Sequence, residues 1–295
     1  MTKHGIKKLN GIRFSPIFLI CPSIILLVAI LVLPSFSALG ISFTNNTPGR
    51  EVKFIGITNY ITILTDPQFI RVVLNNLYFL AGSLLLEMLI GLGGALLLNR
   101  RFKFQAFWIC LILSPYAISS VVSVVAWKYL LDPDYGMVNY LLFLLGFKPV
   151  KWFGSALTSF IPVIVTGVWK SFPFMLITLY AALTSIPLEI SEAAKIDGAS
   201  RFAFFSKITL PLITPPFLIA IIFRMIFLLR AFEQIWIFTA GGPGRSTEIL
   251  AINLYKEAFL FFDYGRASAI SWILLLITAL IAMPIIKNSI GMNKR

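Results

Sequence analysis

Six long runs of apolar residues, separated by short polar segments, dominate the pattern of this chain. Each run reaches the length of about 20 residues that an α-helix needs to cross the hydrocarbon core of a bilayer. We therefore expect an all-α membrane protein, with one domain over residues 1–295 and six transmembrane helices. The predicted spans are residues 16–41, 74–98, 105–131, 158–183, 212–238 and 267–287.

Composition supports a membrane protein and excludes several other classes. Apolar residues make up 58% of the chain and charged residues 13%, and the mean hydropathy is +0.90. A bilayer accommodates that much apolar surface, whereas a soluble domain of this length cannot hide it. The net charge of +13 does not indicate nucleic-acid binding, because the basic residues collect at the ends of the apolar runs.

Cysteine and histidine usage predicts a chain without a catalytic or metal site. Cys21 and Cys110 both lie inside apolar runs, where a small hydrophobic role is typical. The lone histidine, His4, lies in the N-terminal tail, so a histidine-based metal or catalytic centre is excluded. We predict no catalytic residue, no metal and no cofactor in this chain.

The basic N-terminal tail raises the question of a signal peptide. Lys3, Lys7, Lys8 and Arg13 precede the first apolar run. That run is too long for a signal peptide, and no small-residue cleavage site follows Pro34. We therefore expect an uncleaved first span.

The distribution of Lys and Arg predicts the orientation. Thirteen of them lie in the N-terminal tail, the turn at 99–104, the polar segment at about 184–211 and the C-terminal tail. Only nine lie in the longer loops on the other side. Because cytoplasmic loops are enriched in basic residues, we expect both termini and the 184–211 segment in the cytoplasm.

The polar segment at 184–211 contains the sequence SEAAKIDGASRFAFFSKITLP, which predicts two short helices around a glycine break. Pro187 suits the start of the first helix, where its missing N–H costs nothing. Gly198 suits a left-handed residue that ends this helix, and Ser200 can cap the next one. Ala193 and Ala194 leave little side chain on one face, so another protein can approach closely.

The spacing within this segment resembles a known family. The pattern is E-A-A, three residues, G, nine residues, I, one residue and L-P. It resembles the EAA loop of binding-protein-dependent ABC importer permeases, and residues 184–211 are called the EAA-like segment below. Residues 54–60 and 239–243 resemble signatures of the carbohydrate-type branch, maltose-permease-like, and of its first membrane subunit. That branch often has three glycines before the proline, and Ala240 replaces the first; a turn role is favoured over substrate contact there.

The resemblance implies the type I ABC importer permease fold in a bacterial or archaeal cytoplasmic (inner) membrane, surrounded by lipid. It also implies a heterodimer with a second related permease, two ATPase subunits and an extracytoplasmic solute-binding protein. No phosphate-binding loop is present, because residues 241–246 have Arg245 in place of lysine and lack the first glycine. ATP and magnesium are therefore expected on the partner ATPase.

By resemblance, the EAA-like segment carries the coupling helix that docks on the ATPase. Glu192 would offer its carboxylate to a cation or to backbone donors there. A local pair with Lys195 at i+3 is the structural alternative for the same carboxylate. The predicted coupling residues are Glu192, Ala193, Ala194, Asp197, Gly198, Leu210 and Pro211.

Ionisable residues inside the predicted spans are functional candidates, because burying an unpaired charge costs several kcal/mol. Arg224, Phe227, Leu228 and Ala231 follow the i, i+3, i+4, i+7 spacing of one helix face, which we expect to line a cavity. The resemblance places a sugar site midway along spans four and five. The predicted substrate-path residues are Lys170, Ser171, Phe174, Arg224, Phe227, Leu228 and Ala231.

Structural pairing is the alternative for these charges. Glu87 in span two would pair with Lys170 or Arg224 as structural glue. Arg230 and Glu233 are expected to form a local pair near the outer surface rather than to contact a ligand.

The predicted function is a permease subunit of an ATP-driven carbohydrate importer, with a disaccharide of the maltose or trehalose type as cargo. Glycerol 3-phosphate is the alternative cargo, because Lys170 and Arg224 would suit a phosphate. An ion-coupled secondary carrier is the alternative of another class, but it predicts internal repeats and leaves the EAA-like spacing unexplained. A membrane enzyme would need paired carboxylates or a Ser/His/Asp set inside the spans, and the histidine is lacking there.

Overall fold

The computed structural model describes residues 16–100 and 103–292, and these residues are helical throughout apart from connecting loops. They contain no β-strand beyond an isolated antiparallel bridge between Thr44 and Phe54. The helices are α1 (Pro16–Leu27), α2 (Leu33–Ser42), α3 (Thr58–Thr65), α4 (Pro67–Leu98), α5 (Gln105–Ala117), α6 (Ser120–Leu130), α7 (Met137–Leu144), α8 (Ala156–Thr184), α9 (Leu188–Ile196), α10 (Arg201–Phe204), α11 (Leu210–Leu229), α12 (Glu233–Thr239), α13 (Leu250–Tyr255) and α14 (Tyr264–Met292).

Five continuous helical stretches are long and apolar enough to cross a membrane, and a bent pair of helices makes up to six. The all-α prediction is therefore confirmed, and five to six candidate spans agree with the predicted number. Short π-helical turns join α1 to α2, α10 to α11, and α13 to the loop before α14. The continuous stretches are Ile20–Ser42, Pro67–Leu98, Thr158–Thr184, Arg201–Leu229 and Tyr264–Lys287.

The third predicted span, 105–131, is not one straight helix. α5 ends at Ala117 and α6 begins at Ser120, and the two axes are bent by 95°. Ile118 and Ser119 between them have ψ angles of 140°, which are extended rather than helical. Hydropathy alone cannot detect this break, because apolar residues flank it on both sides.

The fifth predicted span, 212–238, is wrong at both ends. The continuous helix starts at Arg201, so the second half of the EAA-like segment belongs to the same helical stretch as the span. It stops at Leu229, and Arg230 and Phe232 have non-helical backbone angles before α12 begins. This break turns the outer end of the predicted span into a separate short helix.

The tightest packing in the bundle joins α4 to α8 along a stretch of small residues. A Cβ added at Gly91 would lie 2.7 Å from Cγ and 2.8 Å from Cβ of Met175, so only glycine fits there. At Gly94 the same atom would lie 2.5 Å from Cδ1 of Leu176. Small residues allow close backbone approach between membrane helices, where van der Waals packing replaces the hydrophobic effect. This pair positions α8 beside α11, whose side chains form the site described next.

Candidate functional sites: the EAA-like segment and the membrane cavity

The glycine break of the EAA-like segment is a helix-ending turn of the kind that the sequence predicts. Gly198 has a φ of +71°, in the left-handed region. Its N–H donates to the carbonyl of Lys195 at 3.1 Å, and the N–H of Ala199 donates to the carbonyl of Ala194 at 2.9 Å. These two bonds define a Schellman motif, which satisfies the last carbonyls of α9. Ser200 Oγ then accepts from the N–H of Ala203 at 3.2 Å, so the predicted cap is confirmed.

The predicted coupling residues differ in accessibility. Glu192, Ala193, Asp197, Gly198 and Pro211 are exposed, and Leu210 is half-buried. Ala194 is buried against this chain, with 5% of its surface exposed. Only Ala193 of the alanine pair therefore offers a small side chain to another protein, which corrects the expectation for Ala194.

Two further observations concern the surface around α9. Within the described residues, Glu192 and Lys195 form no ion pair, so the local alternative for Glu192 is wrong in this conformation. Three large apolar side chains, Leu188, Ile196 and Phe202, are 65%, 86% and 78% exposed. The sequence prediction missed them, although large apolar residues in a polar loop are a sign of a contact surface.

A cavity of about 360 Å³, called the membrane cavity below, lies among α4, α6, α8, α11 and α12. It brings together six of the seven predicted substrate-path residues, which supports their grouping in one place. Its lining residues are Phe79, Ser120, Ser123, Val124, Thr166, Gly167, Lys170, Ser171, Arg224, Phe227, Leu228, Arg230, Ala231, Phe232, Glu233 and Gln234.

Phe174 is the predicted residue that does not line the membrane cavity. Its ring stacks on Tyr116 of α5, with centroids 6.3 Å apart and planes 25° from parallel. Phe174 lies one helical turn beyond Lys170 and Ser171, about 5 Å further along the axis of α8, and at that level its neighbour is α5. The expected contact between Phe174 and the cavity is therefore wrong.

Arg224 forms a bidentate ion pair with Glu87 across the α4–α11 contact. Its Nε and Nη2 atoms each lie 2.7 Å from a different carboxylate oxygen of Glu87. The Glu87 side chain is fully buried, and the Arg224 side chain is 10% exposed. Two parallel charge-assisted bonds fix both side chains, so the predicted pairing of Glu87 with Arg224 is confirmed. Arg224 borders the membrane cavity at the same time.

Lys170 is also engaged within the chain. Its Nζ donates to the backbone carbonyl of Ile118 at 2.5 Å. Ile118 is the C-cap residue that directly follows α5, so the ammonium group satisfies a carbonyl at the negative end of that helix. Lys170 thereby stabilises the break between α5 and α6, a role that the sequence prediction missed because it took the span to be continuous.

Three further polar side chains of the membrane cavity, Arg230, Glu233 and Thr166, have no partner among the described residues. Arg230 and Glu233 form no ion pair with each other there, so the predicted local pair is wrong, and both side chains line the cavity. The hydroxyl of Thr166 is buried without a hydrogen-bond partner. Buried polar atoms in proteins are almost always hydrogen-bonded, so the cavity offers Thr166 to a water or a ligand. The described residues contain no cluster of His, Cys, Asp and Glu that would hold a metal ion.

The turn after α12 contains residues 239–243, the second stretch that resembles a signature of the carbohydrate-type branch. Ala240 and Gly241 have φ angles of +49° and +90°, so the predicted turn role is confirmed. The turn leads to Glu248, whose buried carboxylate accepts hydrogen bonds from Arg245, Lys256 and Asn253 at 2.7 to 3.0 Å. Burial alone would raise the pKa of Glu248, but these donors outweigh it and hold the pKa below its ordinary value.

Comparison with known proteins identifies the family. Residues 87–287 match the family model described as binding-protein-dependent transport system inner membrane component. This match includes the EAA-like segment and most of the residues that line the membrane cavity. The chain belongs to this family. The permease is therefore a multi-pass inner membrane component of a transport system.

Two relatives align with nearly the whole permease. The trehalose/maltose transport system permease protein MalF of Thermococcus litoralis is 35% identical over 281 residues, which cover 94% of this chain and 93% of the relative. The sulfoquinovosyl glycerol transport system permease protein SmoG of Agrobacterium fabrum is 34% identical over 263 residues, with 88% and 85% covered.

A solved structure shows the same fold. It is a bacterial ABC transporter involved in the import of the acidic polysaccharide alginate, and one of its chains superimposes with a TM-score of 0.80. The sequences are 24% identical, and the match covers 92% of this chain and 93% of the other. The predicted type I ABC importer permease fold is thereby confirmed.

Proposed function

We propose that the permease is one of two membrane subunits of an ATP-driven carbohydrate importer and that its membrane cavity forms half of the translocation path. The observation that carries this proposal is how the charged side chains of the membrane cavity are bound within the chain. Arg224 is paired with Glu87, and Lys170 is bound to a backbone carbonyl. The two remaining unpaired charges, Arg230 and Glu233, are of opposite sign, and the other side chains of the lining offer hydroxyls, aromatic rings and one amide, which suits a neutral sugar.

The EAA-like segment is the proposed docking surface for the ATPase. Leu188, Glu192 and Ile196 follow an i, i+4, i+8 spacing, so they form one exposed stripe along α9. A cleft in a partner protein would cover the two apolar side chains and leave Glu192 beside its cations or backbone donors. This arrangement requires the segment and both termini in the cytoplasm, as the distribution of basic residues predicts.

The remaining partners follow from the same proposal. Transport against a gradient needs an energy source, and the sequence has no phosphate-binding loop. ATP and magnesium would bind to two separate ATPase subunits. A second related permease would complete the path as a heterodimer, and an extracytoplasmic binding protein would deliver the sugar.

A disaccharide of the maltose or trehalose type is the proposed cargo. Support comes from the relative MalF, whose name specifies trehalose and maltose. SmoG is named for a different sugar derivative, so the family accommodates several carbohydrates. Glycerol 3-phosphate is disfavoured, because Arg224 and Lys170 are already bound within the chain and the Glu233 carboxylate shares the cavity with Arg230, so it would repel a phosphate.

The test is reconstitution of the complete transporter in proteoliposomes with its binding protein. We expect trehalose or maltose to stimulate ATP hydrolysis and to accumulate inside, while glycerol 3-phosphate does neither. Uptake of glycerol 3-phosphate without uptake of sugar would replace the carbohydrate proposal with the phosphate one. Transport that is driven by an ion gradient without ATP would refute the importer proposal itself.

A further inference from the structure

Four aromatic side chains form a continuous ladder on α12, α13 and the turn that follows. The ring of Phe232 stacks on Trp236 with centroids 5.6 Å apart and planes 15° from parallel. Tyr255 contacts both rings, at 4.9 Å from Phe232 and 4.7 Å from Trp236. Phe259 continues the series at 5.1 Å from Tyr255. These four residues are called the aromatic ladder below.

The aromatic ladder begins at the membrane cavity and ends at the protein surface. Phe232 is one of the residues that line the cavity. Phe259, at the other end, is 60% exposed, and Trp236 and Tyr255 between them are half-buried. The ladder therefore connects the interior of the predicted bundle with the side from which cargo would arrive.

A groove of about 250 Å³ lies beside the ladder and adjoins the membrane cavity. Arg230 and Phe232 belong to the lining of both spaces, so the two are separated by no more than these side chains. The rest of the groove lining is Ala251, Leu254, Tyr255 and Leu274.

The polar atoms of this groove are available for a ligand. Within the described part of the chain, the Arg230 guanidinium forms no ion pair, and the ion pairs that do form lie elsewhere. The Tyr255 side chain is half-buried, and its hydroxyl is accessible as a donor and acceptor rather than buried without a partner. An aromatic surface flanked by such groups offers a flat apolar face and hydrogen-bond partners together. A pyranose ring has the complementary shape, with an apolar face of C–H groups and hydroxyls around its edge.

We propose that the groove beside the aromatic ladder is a second carbohydrate subsite, adjoining the membrane cavity on its extracytoplasmic side. Tyr255 and Phe232 supply the stacking faces, and Arg230 and the Tyr255 hydroxyl bind sugar hydroxyls. A sugar of three or more rings occupies the cavity and the groove at once, whereas a shorter one fills the cavity alone. This inference rests on the proposed function, because it requires a carbohydrate cargo.

The test compares sugars of two lengths on the complete purified transporter. Binding of maltose and maltotriose in the absence of the binding protein is measured by isothermal titration, and uptake of both is measured in proteoliposomes. Wild type is expected to bind maltotriose about 2- to 10-fold more tightly than maltose, the range that one aromatic stacking contact supplies. Tyr255→Ala should abolish this difference while maltose binding stays near the wild-type value, because Tyr255 does not line the cavity. Phe232→Ala should also abolish the difference, but it should weaken the binding of both sugars, because Phe232 lines the cavity as well as the groove. Tyr255→Phe keeps the ring and should retain most of the difference.

Phe261→Ala is the matched control. Phe261 is 63% exposed, close to the 60% of Phe259, but it lies outside the ladder. Phe259→Ala is expected to slow maltotriose uptake, and Phe261→Ala is expected to leave it unchanged. Equal length preference in wild type, Tyr255→Ala and Phe232→Ala would overturn the subsite. So would loss of subunit assembly in the ladder variants alone, because the ladder would then be a contact between subunits.

Failure of the proposed function has a different signature. Wild type would then neither bind nor import either sugar, and no ladder variant would need to be compared. Import of maltose and maltotriose with the same affinity in every variant would instead keep the carbohydrate importer and remove the second subsite.

Discussion

Removing Arg224 should destabilise the permease through the carboxylate that it leaves behind. Glu87 is fully buried, and its two oxygens accept the two Arg224 hydrogen bonds at 2.7 Å each. Truncating one partner of a buried ion pair costs about 3–5 kcal/mol, because the remaining charge is uncompensated. We expect Arg224→Ala to lower the stability of the assembled transporter by an amount in that range.

The double variant Arg224→Ala/Glu87→Gln separates charge from packing. It replaces the buried carboxylate with a neutral amide, and an unsatisfied neutral group costs about 1–3 kcal/mol. The double variant should therefore be more stable than Arg224→Ala alone. Arg230→Ala is the control, because Arg230 is exposed and forms no ion pair within the described residues. Its effect on stability should stay within about 0.5 kcal/mol.

The assay is thermal denaturation of the detergent-purified complex, followed by size-exclusion chromatography, together with sugar uptake in proteoliposomes. Wild-type stability in Arg224→Ala would refute the argument from the buried carboxylate. A double variant as unstable as Arg224→Ala would also refute it, since the loss would then come from missing packing. Stable Arg224→Ala with reduced uptake would assign Arg224 to the cargo path instead of to the structure.

Three further predictions follow from other parts of the structure. Gly198→Val places a β-branched residue at a φ of +71°, so it should reduce ATPase association and uncouple ATP hydrolysis. Glu192→Lys should have the same effect, because it reverses a surface charge. A pull-down with the ATPase subunit measures the association of both variants. Gly91→Ala meets Met175 at under 3 Å and should lower thermal stability, whereas Gly93→Ala, with open space around it, should leave it unchanged or raise it. Because the pKa of Glu248 is depressed, its contribution to the free energy of unfolding is fully present above the unfolded pKa and is lost as pH falls through the folded pKa. Wild-type stability should therefore fall as pH drops below about 4.5. Glu248→Gln should be less stable than wild type at neutral pH, and its stability should change less with pH below that value.

The number and order of the membrane helices could be predicted from the sequence because hydropathy is a property of each run by itself. The breaks could not. Next to Ile118, the residues Ser119 and Ser120 interrupt a mostly apolar run, and the bend is stabilised by Lys170 from a helix 52 positions away in the chain. At residues 230–232 a polar residue does occur, but a single Arg near the end of a span is equally typical of an interface anchor.

The site residues also divide into those whose roles depend on neighbours in the sequence and those whose roles depend on tertiary packing. Gly198 and Ser200 were predictable, because their roles depend on neighbours within five positions. The spacing of Arg224, Phe227, Leu228 and Ala231 correctly predicted that they line one cavity, although Ala231 lies beyond the end of α11 at Leu229. The partner of Glu87 was left open between Lys170 and Arg224, since Arg224 lies 137 positions away and only tertiary packing decides between them. Phe174 was assigned to the cavity because it shares a helix face with Lys170 and Ser171, but it lies one turn further along the axis and contacts Tyr116 of α5.

The continuity of one helical stretch connects the two candidate sites physically. Arg201–Leu229 is a single run of 29 residues, about 43 Å long at 1.5 Å per residue, that starts inside the EAA-like segment and ends at the membrane cavity. Arg224 clamps this run to α4 near its far end, while Gly198 lies just before its start and outside it. If α9 docks on the ATPase as proposed, its displacement would be transmitted along this helical stretch to the contact between Arg224 and Glu87. The Gly198 and Arg224 substitutions should therefore have different effects. The Gly198 substitution should weaken the connection between α9 and this helical stretch, whereas the Arg224 substitution should loosen the contact between the stretch and α4 beside the cavity.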